Sequence, residues 1–284
     1  MKSAIVTVQK ESSTLEEFLR WHIQVLRFDE VFLFQDGRLR EIPEDLQDHV
    51  TQTRVRDYVS PDSELPRQQA CFQRFLDEHM SKQDFDWALF IDDDERAWFG
   101  GKTFPEFVAT LPKGFSGSLA LPWLFFGGEP EKDVADGYIP RFLHRQAESS
   151  DHVKLLYNFK SMSPEQWEHQ RPVWPCPHCL ASATYRMFIP WYICMDGFLE
   201  PGAGPKTPVK INVEKDPFIA HFYALDRESW NKKLQRGRPD TDCPEYQYWH
   251  SAMARTMEEL YKERSNCPVF DPRLDAQMRL RQTA

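Results

Sequence analysis

Through the first third of the chain, short apolar runs alternate with stretches of helical periodicity. Ser3 to Val8 is an apolar run of strand length. Thr14-Leu-Glu-Glu17 then has the form of a capping box, in which a Thr hydroxyl and a Glu carboxylate satisfy free amides at a helix start. Leu15, Phe18, Leu19, Ile23 and Leu26 follow on one helical face, and Val31-Phe-Leu-Phe34 reads as a second buried strand. The rhythm repeats with a strand near Thr53 to Val59, a helix from about Arg67 to Met80 with Phe72, Phe75 and Leu76 inward, and the strand Trp87-Ala-Leu-Phe-Ile91. Such alternation predicts an α/β fold: a mixed, mainly parallel sheet flanked by helices.

From about Gly117 the pattern changes to Trp-, Pro- and Gly-rich segments with few clear helices until Asp226. Two late helices are expected, about Arg227 to Gln235 and Glu245 to Glu263, before a charged tail. With neither linker nor repeat in view, residues 1–284 read as a single domain with halves of about 1–116 and 117–284.

Composition narrows the partners. The 284 residues are 41% hydrophobic, enough for one large core, and the net charge is −9 with basic residues dispersed. That argues against a nucleic-acid groove or a polybasic membrane patch and leaves small molecules or neutral polymers. The opening MKSAIVTVQKESS is too short an apolar run for a signal segment, and no stretch reaches membrane-spanning length, so the chain reads as cytoplasmic. Six Cys are too sparse for a disulfide scaffold. Cys176-Pro-His-Cys179 has zinc-knuckle spacing but lacks a second pair, so a proline-stiffened loop with buried thiols is the preferred reading.

The chemistry concentrates at Asp92-Asp-Asp-Glu95, four acids that end the Trp87–Ile91 run. In open α/β sheets ligands bind beyond the carboxyl ends of strands. On extended backbone Asp92 and Asp94 project to one side and Asp93 and Glu95 to the other. With no Lys or Arg nearby in sequence before Arg96, two like charges on one side call for a hard divalent cation, Mn²⁺ or Mg²⁺. Such an ion keeps positions open for phosphate oxygens, as sugar transfer from a nucleotide sugar requires.

The run Phe90-Ile-Asp-Asp-Asp-Glu95 resembles the D-x-D segment of metal-dependent glycosyltransferases of the GT-A fold, of the family 2 and family 92 type. That family's further motifs have counterparts, in order, at Gln9-Lys10-Glu11, Glu17-Phe18-Leu19, Phe34-Gln35-Asp36-Gly37, Trp123-Leu-Phe-Phe126-Gly127 and His221-Phe222-Tyr223. The resemblance spans about residues 3 to 238 and departs from the family where Lys-Asn becomes Gln9-Lys10 and an Asp becomes Gln35. Chain length and wording also resemble the sugar transferases that large algal viruses encode for capsid glycans, with xylosyl transfer from UDP-xylose one candidate activity.

The resemblance implies a GT-A, Rossmann-like fold whose first half binds a nucleotide sugar, expected to be UDP-linked, and whose second half binds a glycan acceptor. It implies metal ligation by Asp92, Asp94 and His221, and nucleotide contacts from Glu11, Asp36 and Asp93. Arg67, awkward for the helix dipole at a helix start, would meet the diphosphate, over which Lys233 and Arg236 close. The ordinary alternatives are loop capping for Glu11 and Asp36, a surface ion pair for Arg67, a core position for His221, and favourable charge at a helix C-terminus for Lys233 and Arg236.

On the acceptor side Trp123, Phe125 and Phe126 form either a sugar platform or core, with Gly127 and Gly128 allowing close approach. Inverting displacement needs a carboxylate base. Glu129 is the first candidate and Asp133 the second, with Asp136 and Asp196 as further alternatives. A metal-dependent phosphoester hydrolase or nucleotidyltransferase, or a non-catalytic glycan-binding module, are the rival readings.

Overall fold

The computed structural model describes residues 1–9, 14–59, 67–79, 82–113, 115, 119–128, 137–150, 152–161, 174–176, 179–181, 192–194, 197–199, 211–236 and 257–282. The predicted mixed, mainly parallel sheet covered by helices is present. Strands β1 (Ser3–Gln9), β2 (Glu30–Gln35), β3 (Val50–Arg54) and β4 (Trp87–Phe90) run parallel in the order β3-β2-β1-β4. The short β5 (Glu95–Trp98), then β6 (Leu119–Phe125), β7 (His144–Arg145) and β8 (Val153–Asn158) follow in the chain. Four further pieces, β9 (Trp174–Cys176) with β10 (Cys179–Ala181), and β11 (Tyr192–Cys194) with β12 (Gly197–Leu199), form two small hairpins, and β13 (Phe218–His221) returns to the main sheet.

The eight-stranded order is β3-β2-β1-β4-β8-β6-β13-β5. Because β8 is antiparallel to both β4 and β6, and β13 is parallel to β6, the strands β4, β6 and β13 all end at one edge. At the far side β5 runs antiparallel to β13, so it starts where β13 ends, with His221 registered on Glu95.

Both faces of the sheet are covered, which is why its strands read as continuous apolar runs. Ile5, Val31, Leu33, Leu89 and Ile91 point into one core, and Ala4, Val6, Phe32, Phe34, Ala88 and Phe90 into the other. Helix α3 (Arg67–His79) covers the second face with Phe72, Phe75 and Leu76, as its spacing predicts.

The first face is covered by α1 (Leu15–Arg20), which widens into a π-helical turn at Trp21–Val25. Buried Trp21 there donates its indole N–H to the Ala97 carbonyl of β5 at 2.8 Å. The C-terminal segment expected as a charged tail is instead a helix, Arg273–Gln282, whose Leu274 enters the same core.

Three other local expectations are corrected. The strand placed near Thr53 to Val59 lies earlier, at Val50–Arg54, and Val55–Tyr58 forms the single helical turn α2. The Thr14 capping box does not form, because Glu17 is drawn inward to Arg96, whereas the unforeseen helix α4 (Phe104–Val108) carries a complete box from Thr103 and Glu106. Of the late helix expected over Glu245 to Glu263, the described part runs Met257–Ser265, and residues 237–256 lie outside the described residues. Among the described residues no helix is long and apolar enough to cross a membrane.

His22, in the π-helical turn, is fully buried. Its Nδ1 lies 2.9 Å from the Phe18 carbonyl, and Nε2 has no hydrogen-bond partner among the described residues. Burial, with the Arg96 charge adding to it, holds the imidazole well below its ordinary range. The unfolded chain therefore takes up a proton that the native state refuses once pH drops below about 6.5, and stability falls from there downward by at most ~1.4 kcal/mol per pH unit from this group. Urea midpoints measured at pH 7.5 and 5.5 should differ more for the parent than for His22→Phe, and equal differences would refute the assignment.

Candidate functional site

The sheet topology explains how residues distant in sequence meet. The chain leaves β4 at Ile91, crosses through Asp92, Asp93 and Asp94, and enters β5 at Glu95 beside the end of β13. This crossing is a turn and not extended strand: Glu95 N–H donates to the Asp92 carbonyl at 3.2 Å, and Asp92 N–H donates to Glu95 Oε2 at 2.9 Å. The alternation of side chains expected for a strand consequently fails. Asp92 and Glu95 share one partner, while Asp94 and Glu95 both face His221.

That shared partner is Lys154 of β8. Its fully buried Nζ lies 2.7 Å from Asp92 Oδ2 and 3.3 Å from Glu95 Oε2. The expectation that no cation neutralises the acids is thus corrected. The compensating charge comes from two residues beyond the Leu89–Leu156 register pair, a partner that local sequence does not reveal. Burial disfavours the Lys154 charge, but Asp92 and Glu95 outweigh it and its pKa is pushed up to about 12. Glu95 has the opposite balance. Burial lifts its carboxyl well above the usual range, Lys154 opposes, and Asp92 and Asp94 add to the lift. One ammonium serves two carboxylates, and its shorter contact is to Asp92.

Asp92 is fully engaged, since Gln68 of α3 donates to its other oxygen, Oδ1, at 2.6 Å. Asp94 is buried, and its Oδ1 sits 3.5 Å from His221 Nε2. The other ring nitrogen, Nδ1, lies 3.8 Å from Glu95 Oε1. The His221 imidazole is walled by Trp123, Phe125 and Tyr223, with ring centroids 4.4, 5.3 and 5.1 Å away. Asp93 contributes its backbone: its carbonyl accepts from Arg96 Nη1 at 2.9 Å.

Among the described residues no group of three or more His, Cys, Asp and Glu side chains is arranged to hold a metal ion. Two of the three predicted ligands, Asp94 and His221, do converge. Atoms 3.5 Å apart can both reach one Mg²⁺- or Mn²⁺-sized ion at about 2.1 Å. A carboxylate and an imidazole suit such an ion provided phosphate oxygens or water complete the shell. Asp92 does not converge with them.

Among the predicted nucleotide contacts, Asp36 follows the end of β2 and accepts from Arg67 Nη1 at 3.0 Å, so Arg67 is held by an ion pair at the start of α3. Glu11 lies outside the described residues. Lys233 and Arg236 fall on the helix Arg227–Arg236, but their side chains lie outside the described residues.

On the acceptor side Trp123 keeps partial exposure on β6, stacked on His152 with centroids 5.0 Å apart, whereas Phe126 is core, against Phe218 and Phe222. The close approach at Gly127 is made by the chain itself: a Cβ there would stand 2.9 Å from the Ala224 carbonyl oxygen. Glu129, Asp133, Asp136 and Asp196 lie outside the described residues, as do the side chains of Cys176 and Cys179, which are register partners in the β9–β10 hairpin.

Sequence reasoning missed Lys154 and Gln68. The signal for Lys154 was present as a lone charge inside the apolar strand Val153-Lys-Leu-Leu-Tyr157. A lysine is almost never fully buried without a carboxylate partner.

No protein-family model and no curated protein matches the chain. Among solved structures, a CMP:2-keto-3-deoxy-manno-octonic acid synthetase complexed with CTP is similar at 15% identity and a TM-score of 0.26, over 60% of this chain and 78% of that one. A likeness this slight carries no argument about activity.

Proposed function

We propose that the chain is a metal-dependent glycosyltransferase that moves a sugar from a nucleotide donor, UDP-linked, to a hydroxyl of a glycan acceptor with inversion. The observation that carries this reading is the convergence of Asp94 and His221, 3.5 Å apart, at the edge where β4 and β13 end. Asp36 and the start of α3 flank that edge through the Arg67 and Gln68 contacts. In open sheets this edge is where nucleotides lie. Asp94 and His221 would hold the ion, which when bound supplies positive charge to the departing diphosphate.

The remaining roles belong to the chain itself. His221 presents its Nε2 beside Asp94. Asp36 accepts from nucleotide hydroxyl or N–H donors once Arg67 turns from it to the diphosphate, and partly buried Trp123 offers a ring edge to a sugar face. Glu129 or Asp133, in the segment that follows Gly128, would take the acceptor proton.

Calorimetric titration of UDP into the full chain tests the reading. Affinity at least about tenfold higher with Mn²⁺ than with chelator is expected. Equal affinity, or no binding in either buffer, would overturn it. A screen of UDP- and GDP-sugars for slow metal-dependent hydrolysis then identifies the donor.

A further inference from the structure

We infer that Lys154 is a positioning residue that keeps Asp92 out of the metal shell and so confines the site to one divalent ion held by Asp94 and His221. This rests on the metal-dependent reading above. Lys154 is fully buried, with Nζ 2.7 Å from Asp92 and 3.3 Å from Glu95 and the Trp123 ring 5.7 Å away. Its charge faces inward, to the acids alone.

With the Lys154 ammonium 2.7 Å from Oδ2 and Gln68 on Oδ1, a divalent ion approaching Asp92 would meet a positive charge already in contact with it. Three carboxylates within one turn would otherwise gather a second cation, as two-ion phosphoester sites do. Lys154 occupies that place permanently. The arrangement therefore favours single-ion chemistry on a diphosphate leaving group over two-ion hydrolysis.

The test is Mn²⁺ titration of the full chain, read by loss of the free-ion electron paramagnetic resonance signal, in the presence of UDP. The parent should bind one Mn²⁺ per chain. Lys154→Met removes a cation close to the ion and releases a carboxylate, so Mn²⁺ should bind about tenfold tighter or a second equivalent should appear. Asp92→Asn should weaken Mn²⁺ by several-fold, because the Lys154 ammonium beside the ion then lacks its nearest carboxylate, and the double variant should return to within about twofold of the parent because both charges leave together and no ligand is lost. Lys154→Met with parent affinity and stoichiometry, or a double variant that binds Mn²⁺ at least about tenfold more weakly than the parent, would overturn the assignment. Should Lys154→Met fail to fold by circular dichroism, the charge-neutral double variant decides alone. If the parent binds no Mn²⁺ with or without UDP, the metal-dependent reading itself falls. That result is distinct from a parent that binds one ion through Asp92.

Discussion

Asp94→Asn is expected to abolish Mn²⁺-dependent UDP binding and to cut transfer by about a hundredfold or more, while the fold stays intact. The substitution is nearly isosteric, and the turn does not depend on the carboxylate: the Asp94 carbonyl accepts from Phe222 N–H at 2.9 Å whatever the side chain. Asp94 is one of the charges that lift the Glu95 carboxyl, so removing it relieves repulsion in a buried cluster. The thermal midpoint in metal-free buffer should therefore hold or rise. Loss of activity with an unchanged or higher midpoint separates a ligand from a structural residue. Transfer retained at saturating donor would end the assignment of Asp94 to the metal.

Legibility from sequence followed one physical division. Strands buried on both faces announce themselves as apolar runs, so β1, β2 and β4 stood out, as did the inward face of α3. The position of the acids followed from β4, because a run of charge cannot continue a doubly buried strand. What remained hidden was fixed by partners far along the chain. Glu17 matched a local capping box, yet Arg96, 79 residues on, offered a buried charge that a helix amide could not rival. Asp92 appeared unneutralised because Lys154, 62 residues on, reaches it only through the order β4-β8-β6. The edge strand β3, Val50-Thr-Gln-Thr-Arg54, lacks the apolar run by which buried strands are recognised, so it was placed too late in the chain.

The same Arg96 gives the largest expected effect on stability. Its guanidinium is fully buried. Nη2 and Nε donate to Glu17 Oε1 at 2.9 and 3.2 Å, Nη1 donates to the Asp93 and Glu95 carbonyls at 2.9 Å each, and the Phe18 and Tyr138 rings lie 5.1 and 5.6 Å away. Glu17 Oε2 in turn accepts from Ile139 N–H at 3.0 Å. It comes so close to Gly137, at φ +145°, that a Cβ there would stand 2.3 Å from it. One cation therefore joins α1, the acid turn and the segment from residue 137 onward.

Arg96→Met leaves Glu17 buried without a counter-charge, which costs about 3–5 kcal/mol and, for a chain of this length, lowers the thermal midpoint by roughly 10 °C. Glu17→Gln/Arg96→Met removes both charges and should recover a large part of that loss. The Asp93 and Glu95 carbonyls still lack their donor in the double variant. Its acid turn stays loose, and Mn²⁺-dependent UDP affinity, measured well below its midpoint, should remain weaker than the parent's although stability has largely returned. A midpoint for Arg96→Met within about 2 °C of the parent would show that the buried pair is not what holds these three elements together. Full recovery of UDP affinity in the double variant would show that Arg96 acts through Glu17 alone and not through the turn that carries Asp94.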